Sequence, residues 1–349
     1  IFSPPTPLHL PPDKCWLGQS RLIDNVMDFP LISLVVLAYN HFEQTTAPCL
    51  ESLKPWFKDP ELEFIVFDNA SPDGSAELAR AWCAQHPSIR YITHERNLGY
   101  AGGMNAGATL ARGNWLFLVN NDTEFPALAI EALKITLRSA PERTAMIAPV
   151  TNSAGNGQRY FDPLRDKSQW LQWGAWIHAH PVGELWPTYR CDFFCIAIRR
   201  EVYELLGGLD TVFGMGYFED FDFSLRLRAA GYDQAITEDV FIYHQGSATF
   251  QKNSILAGLM RNNKKIMQAR HPSIQFNHVR QENRLLLQHQ LDKMDMWPTD
   301  APETAHLKQR VAMRQNALLL DLPKSILKRW LWKLKTRDLT RRIIVASGG

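Results

Sequence analysis

Leu31-Ile32-Ser33-Leu34-Val35-Val36-Leu37-Ala38, running on into Tyr39-Asn40, is an unbroken β-favouring run of strand length that stops on polar residues. Residues 46–57 then carry apolar side chains at helical spacing, with Pro48 and Pro55 near the ends, and 63–67 reads as a second strand. Strand, helix, strand in that order makes a parallel pair joined by a right-handed crossover. The alternation recurs as helix 75–86, strand 89–93, helix 101–111, buried strand 115–119, helix 127–139 and strand 145–148. Such a pattern predicts an α/β fold built on an open, twisted, mostly parallel sheet.

From Arg190 the texture changes. A β-like run over 193–198 leads to a helix over 200–206, and a glycine-rich stretch runs from Gly207 to Gly216. A helix over 221–230 stops at Gly231, a residue suited to the left-handed conformation beyond a helix end, and 240–243 is a last strand. After about residue 254 strand signals fade, and helices are expected over 254–270, 277–296 and 302–320, ahead of a basic segment, 324–342. The chain thus divides into a proline-rich extension (1–30), an α/β domain (31–253) and a helical C-terminal region (254–349).

The 349 residues are 45% hydrophobic and 21% charged, with a formal net charge of +2. Without a basic excess, no nucleic-acid partner is expected. The five cysteines, Cys15, Cys49, Cys83, Cys191 and Cys195, are scattered without zinc spacing and read as reduced thiols of a cytoplasmic protein. No apolar run approaches the roughly 20 residues that span a bilayer. The start, Ile1 followed by five prolines between positions 4 and 12, lacks the basic and apolar regions of a secretory signal.

In an open parallel sheet, ligands bind outside the carboxyl ends of the strands. The first strand here ends in Ala38-Tyr39-Asn40, and the second in Asp68-Asn69-Ala70-Ser71-Pro72-Asp73-Gly74-Ser75. The third leads into Asn97-Leu98-Gly99-Tyr100-Ala101-Gly102-Gly103-Met104-Asn105, and the fourth ends in Asn120-Asn121-Asp122. Asp73 and Ser75 also suit a plain helix cap. The glycines near Asn97 fall at the wrong offsets for a dinucleotide fingerprint, yet they permit close backbone approach to a ligand at a helix start.

Asp122 closes a buried strand, where a hard divalent cation finds an oxygen ligand beside substrate phosphates. Glu219-Asp220-Phe221-Asp222 sets three acids before a helix; they suit the positive helix end and equally a general base. His244 ends the last strand, a place open to a ligand or to an ordinary core histidine.

In this order and spacing, the segments resemble the inverting, GT-A-fold glycosyltransferases of family 2, which include bacterial rhamnosyltransferases and O-antigen or polysaccharide synthases. The resemblance covers about residues 31–250. It implies a nucleobase loop at Ala38, Tyr39 and Asn40, and contact of Asp68 with the base or ribose. It further implies a nucleotide-binding segment containing Asn97, Gly99 and Asn105. Asn120, Asn121 and Asp122 occupy the place of an Asp-x-Asp metal motif, with Asn120 where the first aspartate stands. Glu219, Asp220 and Asp222 match the acceptor-side acidic motif, and His244 falls where many members place a further metal ligand.

The implied reaction moves a sugar from a UDP- or dTDP-sugar donor to a hydroxyl of a glycan or lipid-linked glycan in bacterial surface-polysaccharide synthesis. Mn²⁺ or Mg²⁺ would sit on Asp122 and His244, with Asp220 as base, Glu219 second choice and Asp222 third. Residues 151–158 are expected to line the sugar pocket. Asn120 keeps open a rival reading, a catalytically weak nucleotide- or glycan-binding module of the same fold. A nucleotidyltransferase would show a glycine-rich phosphate loop after the first strand, where Ala38-Tyr39-Asn40-His41 stands instead. The segment 324–342 alternates apolar and basic residues at helical spacing. It reads either as a peripheral anchor at the inner face of the membrane or as a helix docked on its own domain.

Overall fold

The computed structural model describes residues 30–162, 164–246, 254–274 and 279–320, with Ser325, Leu327, Trp330, Trp332, Arg337, Leu339, Arg341 and Arg342 beyond them. The proline-rich extension up to residue 29 and Cys15 lie outside the described residues, as does much of 324–342.

The first half alternates as the sequence predicts: β1 (Ile32–Ala38), α1 (Thr46–Leu53), β2 (Leu62–Asp68), α2 (Ser75–Cys83), β3 (Ile89–Thr93), α3 (Gly99–Ala108) and β4 (Trp115–Asn120). A two-residue strand, β5 (Thr123–Glu124), precedes α4 (Ala129–Ser139) and β6 (Thr144–Val150). Then come α5 (Lys167–Ala179), β7 (Leu185–Pro187), β8 (Cys195–Arg199), α6 (Arg200–Leu205), α7 (Glu219–Ala229), β9 (Asp233–Phe241) and β10 (Tyr243–His244). Three helices close the chain: α8 (Ser254–Arg270), α9 (Val279–Met296) and α10 (Pro302–Leu320). Among the described residues no helix is long and apolar enough to cross a membrane.

Eight strands form one sheet in the order β3-β2-β1-β4-β8-β6-β9-β7. β1 pairs in parallel with β2 and β4, so Val35 stands between Ile65 and Leu118. The second half differs from a continued parallel sheet. β8 enters antiparallel between β4 and β6, and β7 is antiparallel on β9. β10 pairs with β5 in a separate ribbon, opposing His244 to Thr123.

β1 is buried on both faces, and its side chains alternate between two cores. Ile32, Leu34 and Val36 face the core shared with α1 and α4, while Val35 and Leu37 face the core shared with α3. The C-terminal helices complete the second core through Leu286, Leu287, Leu291, Leu307 and Val311. They also place Arg310 and Arg314 fully inside it. Arg314 pairs with buried Glu238, and Arg310 with Asp239 at 2.6 Å. Asp239 also accepts the Val182 and Gly183 amides at 2.7 Å each, so the buried charges are paired and hydrogen-bonded.

Of the two readings of 324–342, the described residues favour docking near Leu339 and Arg342. Leu339 is buried, and Arg342 bridges Asp292 and Asp295 of α9. Leu327 and Trp330 are exposed.

Candidate active site

At the carboxyl ends of β1 and β4 opens a cleft of about 670 Å³. Tyr39, Asn69, Asn97, Gly99, Asn120, Asn121 and Asp122 line its strand-end side; Glu219, Asp220 and His244 line it from downstream. Groups up to about 200 residues apart in the chain thus share one space.

Several residues expected at the nucleotide stand behind this wall. Asp68 is fully buried, and its carboxylate accepts the Ser71 N–H at 3.1 Å and Oγ–H at 2.7 Å and the Thr93 hydroxyl at 3.3 Å. It braces the loop beyond β2 rather than lining the cleft. The next residue, Asn69, does line it, and its side chain ties to Asn97 and to the Leu98 amide. Asn105 is likewise a brace. Its amide donates to the Leu209 carbonyl at 2.7 Å, and its oxygen accepts the Tyr203 hydroxyl at 2.6 Å. Ala38 closes β1 as a buried strand residue. Asn40 adopts φ 56° and donates its N–H to Ser71 Oγ at 2.9 Å, leaving its own Oδ1 buried and unpartnered.

Asp122 and His244 stand side by side, Oδ1 to Nε2 at 3.3 Å. The β5–β10 ribbon sets this pairing, and the Asn152 side chain bonds the His244 backbone on both N–H and C=O. Nδ1 of His244 lies 2.7 Å from the Ser153 carbonyl, which can only accept, so Nδ1 carries a proton. In the neutral ring, Nε2 would then turn a lone pair on a carboxylate oxygen. A proton or a cation must lie between them. Burial works against the imidazolium, yet the hydrogen bond and charge of Asp122 outweigh it and raise the His244 pKa above the ordinary value.

The buried Oδ1 of Asn120, without a partner, lies in the same wall. A carboxylate, an imidazole nitrogen and an amide oxygen suit a divalent cation that takes its remaining ligands from phosphate oxygens. Among the described residues no group of three or more His, Cys, Asp or Glu side chains is arranged to hold a metal alone.

The acids at the start of α7 are not equivalent. Asp222 is 1% exposed, does not line the cleft, accepts Arg226 Nε at 2.7 Å and lies 3.1 Å from His271 Nε2. The structure thus sets Asp222 behind the cleft, unlike Glu219 and Asp220. Glu219 is buried; burial, and then the charge of Asp220, hold its carboxyl well above the usual range. Asp220 is half-buried and accepts the Phe221 amide at 2.7 Å. Burial and the Asp192 carboxylate push it up to about 7, with Arg190 partly opposing them.

Arg190 and Asp192 are cleft residues that the sequence reading passed over. Arg190 donates Nε to Glu282 of α9 at 3.0 Å and Nη2 to the Gly155 carbonyl at 2.6 Å. Asp192 accepts the Gly155 amide at 2.5 Å. Within 151–158, Ser153, Ala154 and Gly155 do reach the cleft, while Asn156 and Gln158 are buried and bonded to each other.

A family model described as glycosyl transferase family 2 matches residues 33–207, half of the chain. An uncharacterized glycosyltransferase, EpsJ of Bacillus subtilis, is 26% identical over 226 residues, covering 62% of this chain and 61% of the relative. The succinoglycan biosynthesis protein ExoO of Rhizobium meliloti is 34% identical over 100 residues, 29% of this chain and 27% of that one. The chain therefore spans less than two thirds of the length of these relatives. Among solved structures, GalNAc-T7 with UDP, GalNAc and Mn²⁺ superposes with a TM-score of 0.51 at 13% identity, over 84% of this chain and 56% of that chain. That likeness is one of fold, and the fold is GT-A.

Proposed function

The chain belongs to glycosyl transferase family 2, and from that premise we propose that its cleft transfers a sugar from a UDP- or dTDP-sugar to an acceptor hydroxyl of a surface polysaccharide. One observation carries the reading: the Asp122–His244 pair and the raised Asp220 carboxyl face a single cleft. The polysaccharide acceptor follows the name of the relative ExoO.

Tyr39, Asn69 and Asn97 receive the nucleoside, and Asp122, His244 and Asn120 would hold Mn²⁺ or Mg²⁺ beside the diphosphate. Such a cation would supply positive charge where the leaving group becomes negative. Asp220 takes the proton of the acceptor hydroxyl as its oxygen bonds the anomeric carbon and the bond to the diphosphate breaks. One displacement inverts the centre. A carboxyl poised near neutral pH serves this step well, because a base is most effective when its pKa lies near the working pH. Glu219, kept protonated by burial, leaves Asp220 as the proton acceptor.

Asp220→Asn is the test. Turnover should fall roughly 10²–10⁴-fold, while donor binding, read as thermal stabilisation, stays near that of the parent. Near-normal turnover in a folded Asp220→Asn protein would end this assignment. The exposed Leu327 and Trp330, set among basic residues, support contact with an anionic membrane carrying a lipid-linked acceptor. Failure to sediment with anionic vesicles at low salt would remove that element alone.

A further inference from the structure

α8 lies beyond the segment matched by the family model, yet one stripe of it is bound to the acid-bearing turn. Asn263, Met267, Arg270 and His271 follow helical spacing, and each meets residues 210–222. Asn263, 1% exposed, shares the two hydrogens of its amide Nδ2 among the carbonyls of Phe213 at 2.8 Å, Gly216 at 2.9 Å and Tyr217 at 3.1 Å. Met267 packs with Phe213 and Phe221 in a small core of its own. Arg270 bonds Asp210 at 2.6 Å, and His271 meets Asp222 at 3.1 Å. Met260, one turn earlier, lines the cleft itself.

The turn held this way is strained. Tyr217 and Phe218 are consecutive non-glycine residues in the left-handed region, at φ 71° and 80°. Each costs on the order of 1–2 kcal/mol there, and such strain persists only where the surroundings over-determine it. Glu219 and Asp220 follow directly. From the other side the turn is pressed by Gly99, where any Cβ would collide with the Gly214 carbonyl oxygen. The clasp therefore fixes a high-energy backbone immediately ahead of the acid.

We propose that Asn263 is a positioning residue, whose three-carbonyl clasp holds the 213–217 turn so that Asp220 faces the acceptor. The proposal rests on the reading of Asp220 as the base. Asn263 acts through backbone alone and touches neither donor nor acceptor.

The experiment uses the full chain with Asn263→Ala and, separately, Phe218→Gly, which relieves the left-handed strain but also removes a cleft-lining ring packed on Phe213 and Phe221. In Asn263→Ala, amide exchange across 213–222 should quicken, and kcat should fall about 10- to 100-fold. Donor affinity should hold within about twofold, and the acid limb of the kcat–pH profile should move, neither of which general loosening would give. In the double variant, stability lost through Asn263→Ala should return in part, and turnover should not. Unchanged exchange with unchanged kcat overturns the proposal. A parallel fall in donor affinity, kcat and melting temperature also overturns it, by reducing Asn263 to fold support. Exchange is read without activity, so failure of the clasp is distinguishable from failure of the base, which Asp220→Asn reports alone.

Discussion

The two sides of the cleft are built by opposite means. On the side proposed for the donor, Tyr39, Asn69, Asn97, Asn120 and Asp122 stand within a few residues of the strands that carry them, in the parallel half of the sheet. On the side proposed for the acceptor, the groups are held from far away. Arg190 is fixed by Glu282 of α9, and the turn before Asp220 by Asn263 of α8. Local placement makes the donor side robust to changes elsewhere. Remote placement ties the acceptor side to the stability of the C-terminal helices. The C-terminal helices are therefore structural parts of the cleft, and substitutions on its two sides should fail differently.

The largest effect is expected on the donor side and should be confined to chemistry. Asp122→Ala removes the only carboxylate beside His244 among the described residues, and charge neutralisation of this kind is worth several kcal/mol, about 10³-fold in turnover. Stability should change little, and EDTA on the parent enzyme should reproduce the loss. Full activity in EDTA with a dead Asp122→Ala would assign Asp122 a role other than metal binding. On the acceptor side, Arg314→Ala strands the buried Glu238 and should cost about 3–5 kcal/mol of stability. Because Arg314 also reaches the Gly157 carbonyl, it should disturb the 151–158 loop in the cleft as well. A mild loss measured by denaturant titration would contradict the remote-support view.

The same contrast explains what was legible in the sequence. The β1–β4 run announces itself through apolar strands and polar endings, and the cleft forms at those endings. The C-terminal helices were also legible from periodicity, α8 and α10 to the residue. Their targets were not, because a stripe such as Asn263, Met267, Arg270 and His271 states a face without naming its partner. Asp68 and Asn105 show a related ambiguity: a polar residue at a strand or helix end suits a brace as well as a ligand. α5 was overlooked although its signal was present, since Asp166 and Gln169 form a reciprocal capping box ahead of tryptophans at helical spacing. Arg190 and Asp192 gave no motif, and only the fold brings them opposite Asp220.

A smaller effect should appear where the two sides touch. Gly99 lines the cleft on the donor side at φ 72° and abuts Gly214 of the acceptor-side turn. Gly99→Ala adds left-handed strain of roughly 1–2 kcal/mol and pushes the turn away. Donor affinity and kcat should therefore drop together, unlike either Asp122→Ala or Asn263→Ala. A change in only one of them would separate the two sides more sharply than the contact suggests.

A last effect is a pH dependence of stability, which leaves the chemistry of the two sides aside. The Asp220 carboxyl rises from 3.8 to about 7 in the fold, so between those values the native state holds a proton that the unfolded chain has released. Stability falls with rising pH wherever the native state binds more protons. The contribution of Asp220 is thus fully present below about pH 4, declines through the interval and is lost by about pH 7. Asn carries no such proton, so Asp220→Asn should gain stability relative to the parent as pH climbs from 5 to 8. Denaturation midpoints of both proteins across that range would show the two curves converging at low pH and parting at high pH. Parallel curves would mean that Asp220 titrates as an ordinary carboxylate, already charged at pH 5. The acid limb of turnover would then have to come from another group on the acceptor side.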